Sequence, residues 1–153
     1  MSQIQIIVGS TLGGTEYVAE EAQTLLEEAF FETELHLEPD LNEMSLQQEQ
    51  IWLVFLSTHG AGDYPENFKD FMEQLQSVNA PLDDVRYALV GIGDSSYDTF
   101  CEAAKNFDYI LEEMGAQRIV DRFEIDVVDQ QMPEDKMADW IPLLIEDLNQ
   151  LID

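Results

Sequence analysis

A chain of 153 residues has the length of one folded domain with a full core and is short for two. It is 45% hydrophobic and 10% aromatic, which excludes a largely disordered chain despite a formal net charge of -27. Its 33 Asp and Glu, against 6 Lys and Arg, run from Glu16 to Asp153, so the surface repels nucleic acid and anionic lipid; the charge is equally compatible with solubility or a saline habitat and with steering a partner that has a basic face.

The single cysteine, Cys101, permits no intramolecular disulfide. With no signal-like opening and no apolar run of about 20 residues, a cytoplasmic, unexported protein is expected, working as a monomer.

In chain order, "IQIIVG" from Ile4 reads as a strand. It is followed by "GSTLGGT" from Gly9, a turn with two adjacent glycines and three hydroxyl residues, and then by a helix with Val18, Ala22, Leu25, Leu26 and Ala29 on one face. "TELHLE" from Thr33 alternates like an edge strand, and "IWLVFLS" from Ile51 is apolar enough for a strand covered on both faces. "STHGAGDYPEN" from Ser57 leads into a helix that begins near Pro65 and carries Phe68, Phe71, Met72 and Leu75. "YALVGIG" from Tyr87 is a further buried strand. "GIGDSSYDTFC" then enters a helix whose apolar face starts at Phe100 and which closes at Gly115. A weaker strand from Arg122 and a last helix from about Glu134 complete the chain. Strands alternating with helices predict a single α/β domain, a doubly wound parallel sheet with helices on both faces.

In such sheets ligands bind outside the carboxyl ends of the strands, where strand order reverses, so three loops converge on one edge. Ser10, Thr11 and Thr15 offer hydroxyls, Gly13 and Gly14 let the backbone approach closely, and a helix N-terminus follows: the parts of a phosphate cradle. No Lys or Arg precedes Lys69, so backbone N–H groups must hold the anion. The loop is neither a Walker A motif, lacking its Lys, nor a dinucleotide fingerprint, with Thr11 in a glycine position. Read as bare residues, it is also compatible with an ordinary Ser and Gly turn.

The second loop sets His59 and Tyr64 among Gly60 and Gly62. His59 has no second metal ligand at a useful spacing and His36 lies on another strand, so a ligand-lining role is expected and no metal site. In the third loop Tyr97 is placed to stack on a flat ring. Asp94 and Asp98 are candidate helix caps. Cys101, among acids, reads as a small buried residue instead of a nucleophile. A phosphate cradle and a stacking aromatic on one edge suit a phosphorylated planar ring, and flavin mononucleotide (FMN) fits better than a nucleotide.

"GSTLGGTEYVAE", "STHGAGDYPENF" and "GIGDSSYDTFC" resemble the three FMN loops of the flavodoxin family, especially its short MioC-type members and the FMN domains of cytochrome P450 reductase and sulfite reductase. The resemblance covers essentially the whole chain. It implies a flavodoxin-like, five-stranded sheet in the order 2-1-3-4-5. It also implies that Ser10, Thr11, Leu12, Gly13, Gly14 and Thr15 wrap the phosphate. Ser57, Thr58, His59, Gly60 and Gly62 would border the ring, the Gly60 peptide turning to accept a hydrogen bond when the ring is reduced. Tyr97 would stack on it, framed by Gly93, Asp94, Phe100 and Cys101. His59 stands where the reductase domains usually carry an aromatic, so one ring face is expected to be less well stacked.

The function so implied is a low-potential one-electron carrier, a redox partner instead of a stand-alone enzyme, taking electrons from a flavodoxin reductase and passing them to a metalloenzyme. Asp63, Glu66, Asp94 and Asp98 are the acids expected near the flavin edge. The alternatives are a flavin-dependent NAD(P)H quinone or nitro reductase on the same fold, and a cofactor-free acidic interaction module.

Overall fold

The computed structural model describes residues 3–10, 13–44, 48–59, 62–78 and 81–152. The elements follow in the expected alternation: β1 (Ile4–Gly9), α1 (Gly13–Glu28), β2 (Thr33–His36), β3 (Gln50–Ser57), α2 (Glu66–Ser77), β4 (Val85–Gly93), α3 (Glu102–Glu113), β5 (Gln117–Arg118), β6 (Phe123–Asp126) and α4 (Pro133–Ile152). A single 3-10 turn, Leu41–Glu43, lies between β2 and β3. The strands are parallel and lie in the order β2-β1-β3-β4-β5, with β6 also paired to β4. Order therefore reverses between β1 and β3, as it does in flavodoxin-like folds.

Alternation along each central strand explains why the sequence looked continuously apolar. Ile4, Ile6, Val8, Leu53, Phe55 and Val90 pack against α1 and α4, while Ile7, Trp52, Val54, Leu56, Tyr87 and Leu89 pack against α2 and α3. Both faces are buried, so the middles of β3 and β4 are apolar and polar residues such as Gln50, Ser57 and Arg86 stand toward their ends. The second face is rich in aromatic rings: Phe68 sits 5.3 Å from Phe71 and 5.1 Å, edge-on, from Phe107. At the top of β1 a Cβ on Gly9 would stand 2.5 Å from Leu56 Cδ1 and 2.8 Å from Phe68 Cδ1, so glycine is what lets α2 close on the strand.

The strand expected from Arg122 is present as β6, and a two-residue strand, β5, precedes it; the two meet successive stretches of β4. A buried charge cluster lies between them. Arg118 and Arg122 converge on the buried carboxylate of Asp108, at 3.0 and 2.5 Å, and Tyr87 donates its hydroxyl to the same group at 2.5 Å. A buried carboxylate is costly unless its partners surround it, and here two guanidinium groups and a phenol do so. Phe100 lies in the turn before α3 and not on the helix, and Pro142 sits inside α4. Among the described residues no helix is long and apolar enough to cross a membrane.

Candidate functional site

A cavity of about 980 Å³ opens at the carboxyl ends of β1, β3 and β4, at the reversal of strand order. One side is formed by Ser10 and by Gly14, Thr15, Tyr17 and Val18 of α1. Ser57 and Thr58 follow β3, and Gly93, Asp94, Tyr97 and Phe100 follow β4. The predicted residues Ser10, Gly14, Thr15, Ser57, Thr58, Gly93, Asp94, Tyr97, Phe100 and Cys101 are thus brought together around one space. Thr11, Leu12 and Gly60 lie outside the described residues, and Gly13 opens α1.

His59 and Gly62 are not among the lining residues. His59 is exposed and joined to Asp63 by a two-bond backbone bridge, His59 N–H to Asp63 O at 2.7 Å and Asp63 N–H to His59 O at 2.8 Å. This bridge ties the two sides of the second loop together at His59 and Asp63. Gly62, at φ +105, adopts a conformation that a side chain resists, and it packs toward Glu102 and Thr99 at the start of α3. Asp63 and Glu66 likewise lie off the wall, Glu66 pairing with Lys69 at 3.1 Å. The lining acids are Asp94, Asp98 and Glu134, and among the described residues no Lys or Arg lines the cavity.

The first loop is held by a residue that sequence reasoning missed. Asn67 of α2 accepts the Ser10 backbone N–H at 2.9 Å and donates to the carbonyls of Val8 and Leu37 at 3.0 and 2.8 Å. One side chain therefore fixes the exit of β1, and it consumes a backbone N–H that the anion-cradle reading had counted for the ligand. Ser57 adds a hydroxyl bond to Gly9 O at 3.3 Å. Ser10 and Thr15 are themselves buried, and the N-terminal turn of α1 supplies the remaining N–H donors.

The caps of the third loop also differ from expectation. Cys101, not Asp94 or Asp98, is the N-cap residue of α3, in a left-handed conformation with φ 53 and without a side-chain cap bond. The bond comes from across the site: Thr58 Oγ1 accepts the N–H of Ala103 at 3.1 Å. Asp94 instead organises its own turn, accepting from Ser96 N–H at 2.9 Å and Ser96 Oγ at 2.5 Å. Asp126 at the end of β6 accepts from Ser95 N–H at 3.1 Å and Val128 N–H at 3.2 Å, tying the third loop to the one beyond it. Hydrogen bonds from Ser95, the side chain first, hold the Asp126 carboxyl below its usual range.

Cys101 is fully buried, as expected, and lies under Gly93 and Gly91. A Cβ on Gly93 would stand 2.9 Å from the Cys101 backbone nitrogen and 3.1 Å from its sulfur. Burial first, then the charge of Glu124, pushes the thiol up to about 12, so it is neutral and unreactive at physiological pH. Lys105 lies 5.9 Å above the Phe100 ring, outside the cavity wall.

Val127, Met132, Pro133 and Glu134 complete the wall from beyond the fifth strand position. The rule that ligands sit at strand carboxyl ends applies to that strand too and would have found them. Tyr17 and Val18 follow from Gly14 at helical spacings of three and four. Asn67 left no signal, because an Asn after a helix start is ordinary.

The flavodoxin family model matches residues 6–140. A MioC homolog from Haemophilus influenzae is 43% identical over 145 residues, covering 95% of this chain and 98% of the relative. The sulfite reductase [NADPH] flavoprotein alpha-component of Bacillus subtilis is 34% identical over 149 residues, covering 97% of this chain and 24% of that protein. A solved flavodoxin mutant from Pseudomonas aeruginosa superposes with a TM-score of 0.87 at 27% identity, covering 96% of this chain and 99% of that one. With the sheet order and the placement of the cavity, these likenesses establish that the chain belongs to the flavodoxin family.

Proposed function

We propose that this protein is a one-electron carrier that accepts electrons from a separate flavin reductase and delivers them to a metalloenzyme, with residues 1–153 acting as one domain. Its cofactor is FMN, as membership of the flavodoxin family indicates. The lining residues fit that group. The space of about 980 Å³ is at the upper end of the range of small-molecule sites, roughly 300 to 1,000 Å³. Among the described residues nothing lies within 4 Å of where a Cβ on Gly14 would stand, so the α1 turn leaves room for a ligand against its backbone. FMN, when bound, supplies the capacity to take up and release electrons one at a time.

The observation that carries the reading is the division of the cavity wall into two chemistries. Buried Ser10 and Thr15 beside the N-terminus of α1 suit a phosphate, and Tyr97 and Phe100 suit a flat ring. Thr11, Leu12 and Gly13 belong to the same phosphate end by their place in the chain, and Gly60 to the ring end. Tyr97, 67% exposed, has the freedom to lie over a ring and exclude water from it. Asp94, Asp98 and Glu134 disfavour added negative charge in the cavity. A single acid about 10 Å away contributes roughly 0.4 kcal/mol at solvent-like screening, so several together lower a reduction potential by tens of millivolts.

A carrier role is preferred to a stand-alone NAD(P)H oxidoreductase because, among the described residues, the lining has no Lys or Arg for a second, dinucleotide phosphate beyond the one the α1 turn suits. The test is an absorption spectrum of the purified protein, followed by titration of the stripped protein with FMN and of the loaded protein with a flavodoxin reductase at rising salt. Flavin bands, stoichiometric fluorescence quenching that weakens in Tyr97→Ala, and reduction that slows with salt are the expected results. Absence of FMN binding at micromolar concentration would overturn the cofactor assignment. Steady NADPH oxidation without added reductase would overturn the carrier role.

A further inference from the structure

We propose that Glu34, His36 and Glu43, at the edge of the sheet, form a site for a divalent transition-metal ion of the Zn²⁺ type. One ligand atom from each lies within 4.8 Å of the others. The convergence follows from the fold. Glu34 and His36 are two apart on β2, so their side chains leave the same face of the strand. Glu43 returns to that edge on the 3-10 turn, whose position is fixed independently of any metal. Asp40 accepts from Asn42 N–H at 3.0 Å and from Gln74 Nε2 at 2.7 Å, and Gln74 Oε1 accepts Leu41 N–H at 2.8 Å. The turn that carries Glu43 is thereby pinned to α2.

The donor set decides the class of ion. His36 is only 6% exposed, and its Nε2 lies 3.9 Å from Glu34 Oε1 and 2.6 Å from Gln5 Oε1. An imidazole nitrogen with two carboxylates suits Zn²⁺, Co²⁺ or Mn²⁺, whereas Ca²⁺ and Mg²⁺ prefer oxygen alone. Gln5 Oε1 is a neutral oxygen already in contact with the ring. While Nε2 carries the proton it donates to that oxygen; with the proton on Nδ1 the Nε2 lone pair is available to the metal, and Gln5 Oε1 can serve as a further oxygen ligand. Glu34 and Glu43 are exposed and free to swing inward, a small closure for ligand atoms already this near.

Charge supplies the second argument. Among the described residues no Lys or Arg pairs with Glu34 or Glu43, so two carboxylates beside a buried ring stand without a compensating cation in a chain of net charge -27. A bound divalent ion would supply that charge. The alternative, a buried histidine satisfied by Gln5 alone, accounts for the ring's burial but leaves the two carboxylates beside it without a compensating charge.

The test is calorimetric titration of the whole protein with Zn²⁺ in 0.15 M salt, together with visible absorption of the Co²⁺ form. One saturable equivalent is expected, with Co²⁺ bands showing nitrogen and oxygen ligation. Glu43→Gln and His36→Gln should each weaken it roughly tenfold or more. Because Glu43 is exposed, its variant tests the site even if His36→Gln does not fold. Three results would overturn the proposal: no saturable uptake, uptake left intact by Glu43→Gln, or loss of binding only in Cys101→Ser. The last would assign the metal to the thiol.

Discussion

Thr58 Oγ1 accepts the backbone N–H of Ala103 at 3.1 Å, so the loop after β3 caps the helix that follows the loop after β4. Two walls of the cavity are thus joined by one hydroxyl, and neither can move without the other. Replacing an N-cap hydroxyl usually costs about 0.5–2 kcal/mol. Thr58→Ala is expected to lower stability in urea by about 1 kcal/mol and to weaken FMN binding, while Thr58→Ser retains both. Equal loss in the two variants would show that the methyl group, and not the bond, matters.

Gly14 and Gly93 line the same cavity but sit in opposite surroundings. Among the described residues a Cβ on Gly14 meets nothing within 4 Å, whereas on Gly93 it meets the Cys101 backbone nitrogen at 2.9 Å. Gly14→Ala should therefore leave the stability of the FMN-free protein unchanged or raise it by up to about 1 kcal/mol, since alanine favours a helix. It should still weaken FMN, because the methyl group enters the ligand's space. Gly93→Ala should destabilise the protein with or without FMN. Chemical denaturation of both forms separates the two effects.

The buried thiol of Cys101 gives a pH dependence of definite sign. Burial, chiefly, raises its pKa from the ordinary thiol value to about 12 in the folded protein. The folded state favours the neutral thiol, so this contribution to stability is complete below about pH 9 and is lost as pH rises toward about 12. Tyr64, raised by burial to about 12, acts in the same direction from the ordinary phenol value upward. At pH 8 a thiol reagent should label native protein slowly and unfolded protein at once, and Cys101→Ser should reduce the alkaline loss of stability. Rapid labelling of the native form would contradict the buried assignment.

Much of this molecule was legible because the same residues carried two signals at once. The runs from Ile4, Ile51 and Tyr87 read as strands by composition and marked where the ligand loops begin, so fold and site came together. The place of His59 and the extra short strand β5 were not legible, for a shared reason. Each depends on a contact distant in sequence or on main-chain pairing that side-chain type does not encode. His59 is bonded through its backbone to Asp63, and Gln117 and Arg118 pair with Arg86 and Tyr87 of β4. Asn67 belongs with them: its three bonds span up to 59 residues of sequence.

The ends of α1 and α3 use one hydrogen-bond pattern with different residues at its critical position. At α3, Ala116 N–H bonds to Leu111 O and Gly115 N–H to Glu112 O, with Gly115 at φ +96. At α1, Phe31 N–H bonds to Leu26 O and Phe30 N–H to Glu27 O, with Phe30 at φ 71. This is the left-handed helix stop that normally takes glycine, and an L-residue there costs about 1–2 kcal/mol. Phe30 recovers little by burial, since its side chain is 87% exposed. Phe30→Gly is therefore expected to stabilise the protein by about 1 kcal/mol, less the entropy that glycine adds to the unfolded chain. Urea midpoints of the two proteins decide it. A destabilised Phe30→Gly protein would mean that the exposed ring makes a contact in solution, while an unchanged one would mean that strain and chain entropy cancel.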